Sequence, residues 1–169
     1  MVVEVKLSAK GLQDVQDALA KYQAELQDKA EKFASALGKK GLAVAEIRFA
    51  NAKYAGDNDV ECSLDESGTK CTIIAKGNAV AFIEFGTGVT HPPYGGELPD
   101  GVGEHGTYGQ GKGSRKGWFY YGEAGNAGIP VADKPGLNYT SGNDAAMAMW
   151  GAVEEMAAQV EATWKEVWM

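Results

Sequence analysis

The sequence predicts an α+β fold: an antiparallel sheet of three to four strands, packed by a long N-terminal helix and a C-terminal helix, with one long extended loop. Three observations carry this. Apolar residues recur at steps of three and four toward both ends of the chain, short alternating runs bounded by turn residues fill the middle, and residues 86–140 show no sustained period. At 169 residues, with 44% hydrophobic and 23% charged side chains, the chain has the size and composition of one core-forming domain, 1–169.

Val3, Val5 and Leu7 alternate and predict a short opening strand from Val2 to Leu7. After Gly11 the period changes. Leu12, Val15, Leu19, Tyr22, Leu26, Ala30, Phe33 and Leu37 fall on one helical stripe, with Gln13, Asp14, Asp17, Lys21, Asp28 and Lys32 on the opposite side. From Leu12 to Leu37 such a helix is about 39 Å long. Gly38 and Gly41 predict a bend or break before helical character resumes at Leu42–Phe49 and ends near Lys53 to Gly56.

Asp59–Leu64, Thr69–Lys76 and Ala79–Phe85 follow as strand candidates, joined through Asp65–Gly68 and Gly77-Asn78 into an antiparallel meander. A hairpin turning at Asp65–Gly68 would set Cys62 nearly opposite Cys71, within geometric reach of a disulfide that a reducing cytosol opposes. The loop 86–140 holds 15 of the 23 glycines and all five prolines, so it is the segment that differs physically from the rest. It also holds Tyr94, Tyr108, Trp118, Phe119, Tyr120, Tyr121 and Tyr139, which need a surface to lie on. Asn143 then caps a final helix from Asp144, whose stripe is Met147, Trp150, Val153, Ala157, Val160, Trp164 and Val167. Aromatic residues at helical spacing predict that its tip packs on the first helix.

The net charge of -7 argues against sequence-independent nucleic-acid binding, which needs a basic face to displace counterions. No run approaches the roughly 20 apolar residues of a membrane span, and Met1-Val2-Val3-Glu4 does not read as a secretion signal, so residence in a cytosol is expected. Cys62 and Cys71 are spaced too widely for a zinc knuckle, and no metal or cofactor is expected.

Gly106–Lys112 matches the first seven positions of a phosphate-cradling loop. Gly113 stands where the magnesium-binding Ser or Thr is required, and chance explains the match in so glycine-rich a segment. His91 and His105 sit among Gly and Pro without a rigid scaffold to aim them, so no catalytic residue is assigned; a hydrolase acting through either is the weakest alternative. The acidic run Glu97–Glu104 lacks the ligand spacing of a calcium loop.

The densest chemical feature is Lys112, Arg115 and Lys116 before Trp118-Phe119-Tyr120-Tyr121. Arg115, Lys116, Trp118, Phe119, Tyr120 and Tyr121 are the expected interface, because Trp, Tyr and Arg dominate the energetics of protein contacts. The same patch could stack single-stranded nucleic acid, and an accessory protein touching genome ends is the second reading.

At Ala81-Phe82-Ile83-Glu84-Phe85-Gly86-Thr87-Gly88 the chain resembles the phage tail-component family of head-to-tail joining or tail-completion proteins, similar to the lambda minor tail protein Z group. The family hallmark matches Phe82, Ile83, Glu84, Phe85, Gly86 and Thr87, and the order of elements agrees along nearly the whole chain. Ala79-Val80 stands where many members have Tyr-Ala, and the following loop is longer than usual. The resemblance implies a non-enzymatic virion protein of the neck or tail, present in the host cytoplasm during assembly. It implies partners too: further copies of itself in a ring, expected as a hexamer, together with tail tube or tail terminator and head connector proteins. Glu84 itself reads as a carboxylate that caps or pairs locally.

Overall fold

The fold, seen in a computed structural model, is described for residues 8–87 and 117–169. The predicted strand Val2–Leu7, the phosphate-loop match, His91, His105, Arg115 and Lys116 lie outside the described residues.

Helix α1 spans Ala9–Asn51 and is entered through Ser8, whose side chain accepts from the Gly11 amide at 3.1 Å. It runs without interruption through Gly38 and Gly41, so of the expected bend or break the break does not occur. Both glycines are notches for close packing. A Cβ at Gly38 would lie 2.9 Å from Leu64 Cδ1 and 3.0 Å from Cys71 Cβ, and one at Gly41 would lie 2.8 Å from both Ile73 Cδ1 and Met156 Cγ. The helical cost of glycine, about 1 kcal/mol each, is offset by the contact it permits.

Strands β1 (Glu61–Ser67) and β2 (Lys70–Lys76) form an antiparallel hairpin along α1. Its loop is Gly68-Thr69, with Gly68 at φ 57°, so Asp65, Glu66 and Ser67 remain in the strand. This shifts the expected register. Cys62 pairs with Ala75 and Cys71 with Glu66, so the two thiols are not opposite, and both are free. Burial against α1 pushes each thiol above its ordinary pKa, which keeps it protonated.

The third expected strand, Ala79–Phe85, is instead helix α2, Val80–Phe85. Short apolar runs do not distinguish a strand from a buried helical turn by periodicity. Here the decision comes from Asp59, whose carboxylate accepts from the Asn78 amide at 2.7 Å, Asn78 Nδ2 at 2.8 Å and the Ala79 amide at 2.9 Å. Those donors would otherwise be unpaired at a helix start.

Residues 117–140 are also paired within the chain, which corrects the expectation of an unpaired loop over 86–140. Strands β3 (Trp118–Tyr121), β4 (Ile129–Pro130) and β5 (Leu137–Thr140) form an antiparallel sheet in the order β3-β5-β4. The described residues therefore carry two small sheets, of two and three strands, in place of one continuous meander.

Helix α3 spans Ala148–Trp168 and begins four residues later than expected, with Met147 at its N-cap in the left-handed region at φ 46°. Its C-terminal aromatics lie on α1, as the sequence predicts. Trp164 meets Phe33 edge-on at 6.2 Å and stacks on Trp168 at 4.4 Å, while Lys29 Nζ stands 5.5 Å from the Trp168 ring centre.

The rest of α3 turns a different face inward. Ala148, Gly151, Ala152 and Thr163 are buried, and Lys40 reaches across from α1 to donate to Thr163 Oγ1 at 2.9 Å. Val153 and Val160 of the predicted stripe remain exposed. The core is correspondingly built of small residues around two large ones: Ala45, Phe49, Ala52, Ala79, Ile83, Ala148 and Ala152. With so little side-chain volume between them, α1, α2 and α3 approach closely.

Candidate interaction surface

Two groups of residues singled out in the sequence are each assembled by the fold, in different ways. The hallmark forms a clasp at the start of α3. Glu84, on α2, is 6% exposed, and its carboxylate accepts from the Met149 amide at 3.0 Å and the Trp150 amide at 3.2 Å. Carbonyls of the same turn receive the preceding residues: Ala146 N donates to Ile83 O at 2.9 Å, and Met147 N to Glu84 O at 3.1 Å. A carboxylate on the first free amides of a helix meets both their unpaired donors and the positive end of the dipole.

Gly86, at φ 72°, makes the turn out of α2, where a Cβ would lie 2.7 Å from Ala145 N and 2.8 Å from Asn143 O. Thr87 then bridges to Asn143. Their main chains exchange hydrogen bonds at 2.8 and 3.0 Å, and Thr87 Oγ1 donates to Asn143 Oδ1 at 2.7 Å. Asn143 Nδ2 donates in turn to Phe82 O at 3.0 Å. Asn143, expected as the cap of the last helix, is therefore engaged with α2, and Glu84 performs the capping. Glu84 caps, as expected, but the expected local partner is corrected: the carboxylate is buried and caps a helix that is near in space and remote in sequence, brought there by the Thr87–Asn143 bridge.

The second group is the aromatic run on β3. Period-two alternation divides it. Phe119 pairs with Tyr139, Tyr121 with Leu137, and Ile129 with Tyr139, so these five side chains share one face of the sheet. That face is open: Phe119 is 62%, Tyr121 78% and Ile129 61% exposed. The Phe119 and Tyr139 rings lie 5.2 Å apart and tilted, with Tyr139 half-buried.

The opposite face bears Trp118, Tyr120, Asn138 and Thr140. Asn138 and Thr140 are buried there, with Asn138 Nδ2 donating to Gly122 O at 2.8 Å. Tyr120 donates its hydroxyl to Ala124 O at 3.1 Å, and burial raises its pKa, so it stays a donor.

The sheet is fastened to the end of α1 by Asn126, a residue sequence reasoning did not single out. Its Oδ1 accepts from Tyr54 N at 2.7 Å, its Nδ2 donates to Ala52 O at 3.0 Å, and its amide donates to Tyr54 O at 3.2 Å. An Asn in a Gly-rich turn carries no signal of such reach; only the fold brings it there.

Elsewhere, an open groove between α1 and the hairpin is lined by Asp28, Glu31, Lys32, Lys39 and Glu66. Its charges pair with one another, Lys32 with Asp28 at 2.7 Å and Lys39 with Glu66 at 3.8 Å. Among the described residues no group of three or more His, Cys, Asp or Glu side chains could hold a metal ion. No helix among them is long and apolar enough to cross a membrane. Set beside known proteins, the chain finds no matching family model, no matching curated protein and no matching solved structure.

Proposed function

We propose that this chain is a structural virion protein of a phage neck or tail top, which joins or completes the tail as one copy in a ring. The observation that carries the reading is the exposed face of Phe119, Tyr121 and Ile129, held on a sheet whose other face and base are hydrogen-bonded in place. The resemblance of Phe82–Thr87 to the tail-component hallmark supplies the setting.

Burying these three side chains contributes about 1.5–3 kcal/mol each. Association costs about 4–15 kcal/mol before any contact is counted. One such face is therefore a weak binary contact, and it becomes stable when repeated around a ring, where each subunit is held at two sides.

The test is a phage carrying Phe119→Ala and Tyr121→Ala, both on that exposed face. The purified variant is expected to keep its fold, and lysates to accumulate unjoined heads and tails by electron microscopy. Infectious particles at normal yield would overturn the proposal.

A further inference from the structure

The chain holds two start signals for its last helix, and the fold uses the one that is remote in sequence. Asn143-Asp144-Ala145-Ala146-Met147 has the makings of a complete first turn: a capping side chain, an acid at the first helical position, then three residues of high helix propensity. In the structure that turn is not formed, and α3 begins at Ala148. Local preference and observed backbone disagree here, and such disagreements mark strained or functional segments.

The disagreement is concentrated at Met147. It is fully buried, has no side-chain capping bond and holds φ 46°, ψ 46°, one of two non-glycine residues at positive φ among those described. A left-handed residue cannot continue a right-handed helix, so this torsion stops α3 from extending backward. Helix α2 holds it there. Ile83 O and Glu84 O accept from Ala146 N and Met147 N at 2.9 and 3.1 Å, and the Glu84 carboxylate accepts from the Met149 and Trp150 amides at 3.0 and 3.2 Å.

The Met149 and Trp150 amides therefore have two rival sets of acceptors. One is Glu84; the other is the carbonyls of Ala145 and Ala146, four residues back, which would accept both amides if 144–147 were helical. Asn143 is contested in the same way, serving either Thr87 and Phe82, as here, or the helix start. The two arrangements exclude one another.

We infer that residues 144–147 are a two-state switch, latched out of the helix by Glu84 and joining α3 as an added turn capped by Asn143 when the latch opens. Ser141 and Gly142 alone separate Asn143 from β5, the central strand of the aromatic sheet, so a partner that displaces the sheet acts directly on the latch. The switch does not depend on a virion role.

The Cα carbon-13 shifts of Asp144–Met147, measured by NMR on the full chain, test it. In the wild type helical shifts are expected to begin at Ala148. Glu84→Ala is expected to raise the helical population of 144–147 at least tenfold, moving all four shifts downfield together. Adding Met147→Gly, which suits positive φ and weakens a helix, is expected to reverse the change. Helical shifts over 152–163 check that each variant is folded.

Random-coil shifts over 144–147 in Glu84→Ala, the mark of a turn that only frays, would overturn the inference. So would shifts unchanged from the wild type, or a helical gain that persists with Met147→Gly. If Glu84→Ala does not fold, Thr87→Val, which removes only the bond to Asn143 Oδ1, takes its place. A helical gain at the same four residues is then expected, and its absence would overturn the switch.

Discussion

The clasp at Phe82–Thr87 and the sheet face at Phe119–Tyr139 are both rich in aromatic residues and both sit near the C-terminal end of α1, yet they are built on opposite rules. In the clasp, Glu84, Thr87 and Asn143 are all buried and each finds a hydrogen-bond partner. On the sheet face, the largest apolar side chains are left facing outward. A buried polar group without a partner costs more than its hydrogen bond returns, so the clasp tolerates little change. Exposed aromatics cost the isolated subunit little and become valuable only against another surface. The hallmark is therefore a folding device, and association has to be sought elsewhere.

Substitutions that break this contrast differ in size. The largest effect is expected from Gly86→Ala, which forces a side chain into φ 72° and against the backbone of Ala145 and Asn143. The loss is about 3–4 kcal/mol, or roughly 6–16 °C in Tm for a chain of this size, readable by calorimetry. An unchanged Tm would mean that the turn is not as tight as described.

Next comes Glu84→Ala, which leaves the amides of Met149 and Trp150 without their acceptor. About 2 kcal/mol is expected, with Glu84→Gln losing about half of that because one oxygen remains. Equal losses for the two variants would contradict the capping role.

A smaller effect belongs to Asp59, whose carboxyl is held below its ordinary pKa by the Asn78 and Ala79 amides. A depressed folded-state pKa means that this contribution is present above the ordinary carboxylate range and is lost as pH falls through the folded value. Asp59→Asn should therefore lower stability at neutral pH and flatten its decline on acidification, as followed by thermal melts at several pH values. The smallest effect is expected on the sheet, where Phe119→Ala with Tyr121→Ala should change stability by less than about 1 kcal/mol while abolishing joining. A large destabilisation there would show the face to be part of the fold.

Several elements were legible before any coordinates. The helical stripe from Leu12 to Leu37, the antiparallel pairing of the two strands that follow and the aromatic end of α3 follow from periodicity and turn residues, and all are found. The failures have specific causes. Ala79–Phe85 was too short for its period to separate strand from helix, and Asp59, remote in sequence, decided it. The hairpin turned at Gly68-Thr69 in place of Asp65–Gly68, which moved the cysteines apart. Strands of four and two residues in β3–β5 are too brief to show alternation at all.

The sequence by itself determined the two long helices and the strands of the hairpin, and which side chains are apolar, because local propensity and periodicity act over a few residues. Tertiary structure alone decided which stripe of α3 is buried and who caps its first turn. Those outcomes depend on how closely backbones approach. Gly38 and Gly41, read singly as helix-weakening residues, become the places where α1 meets the hairpin and α3.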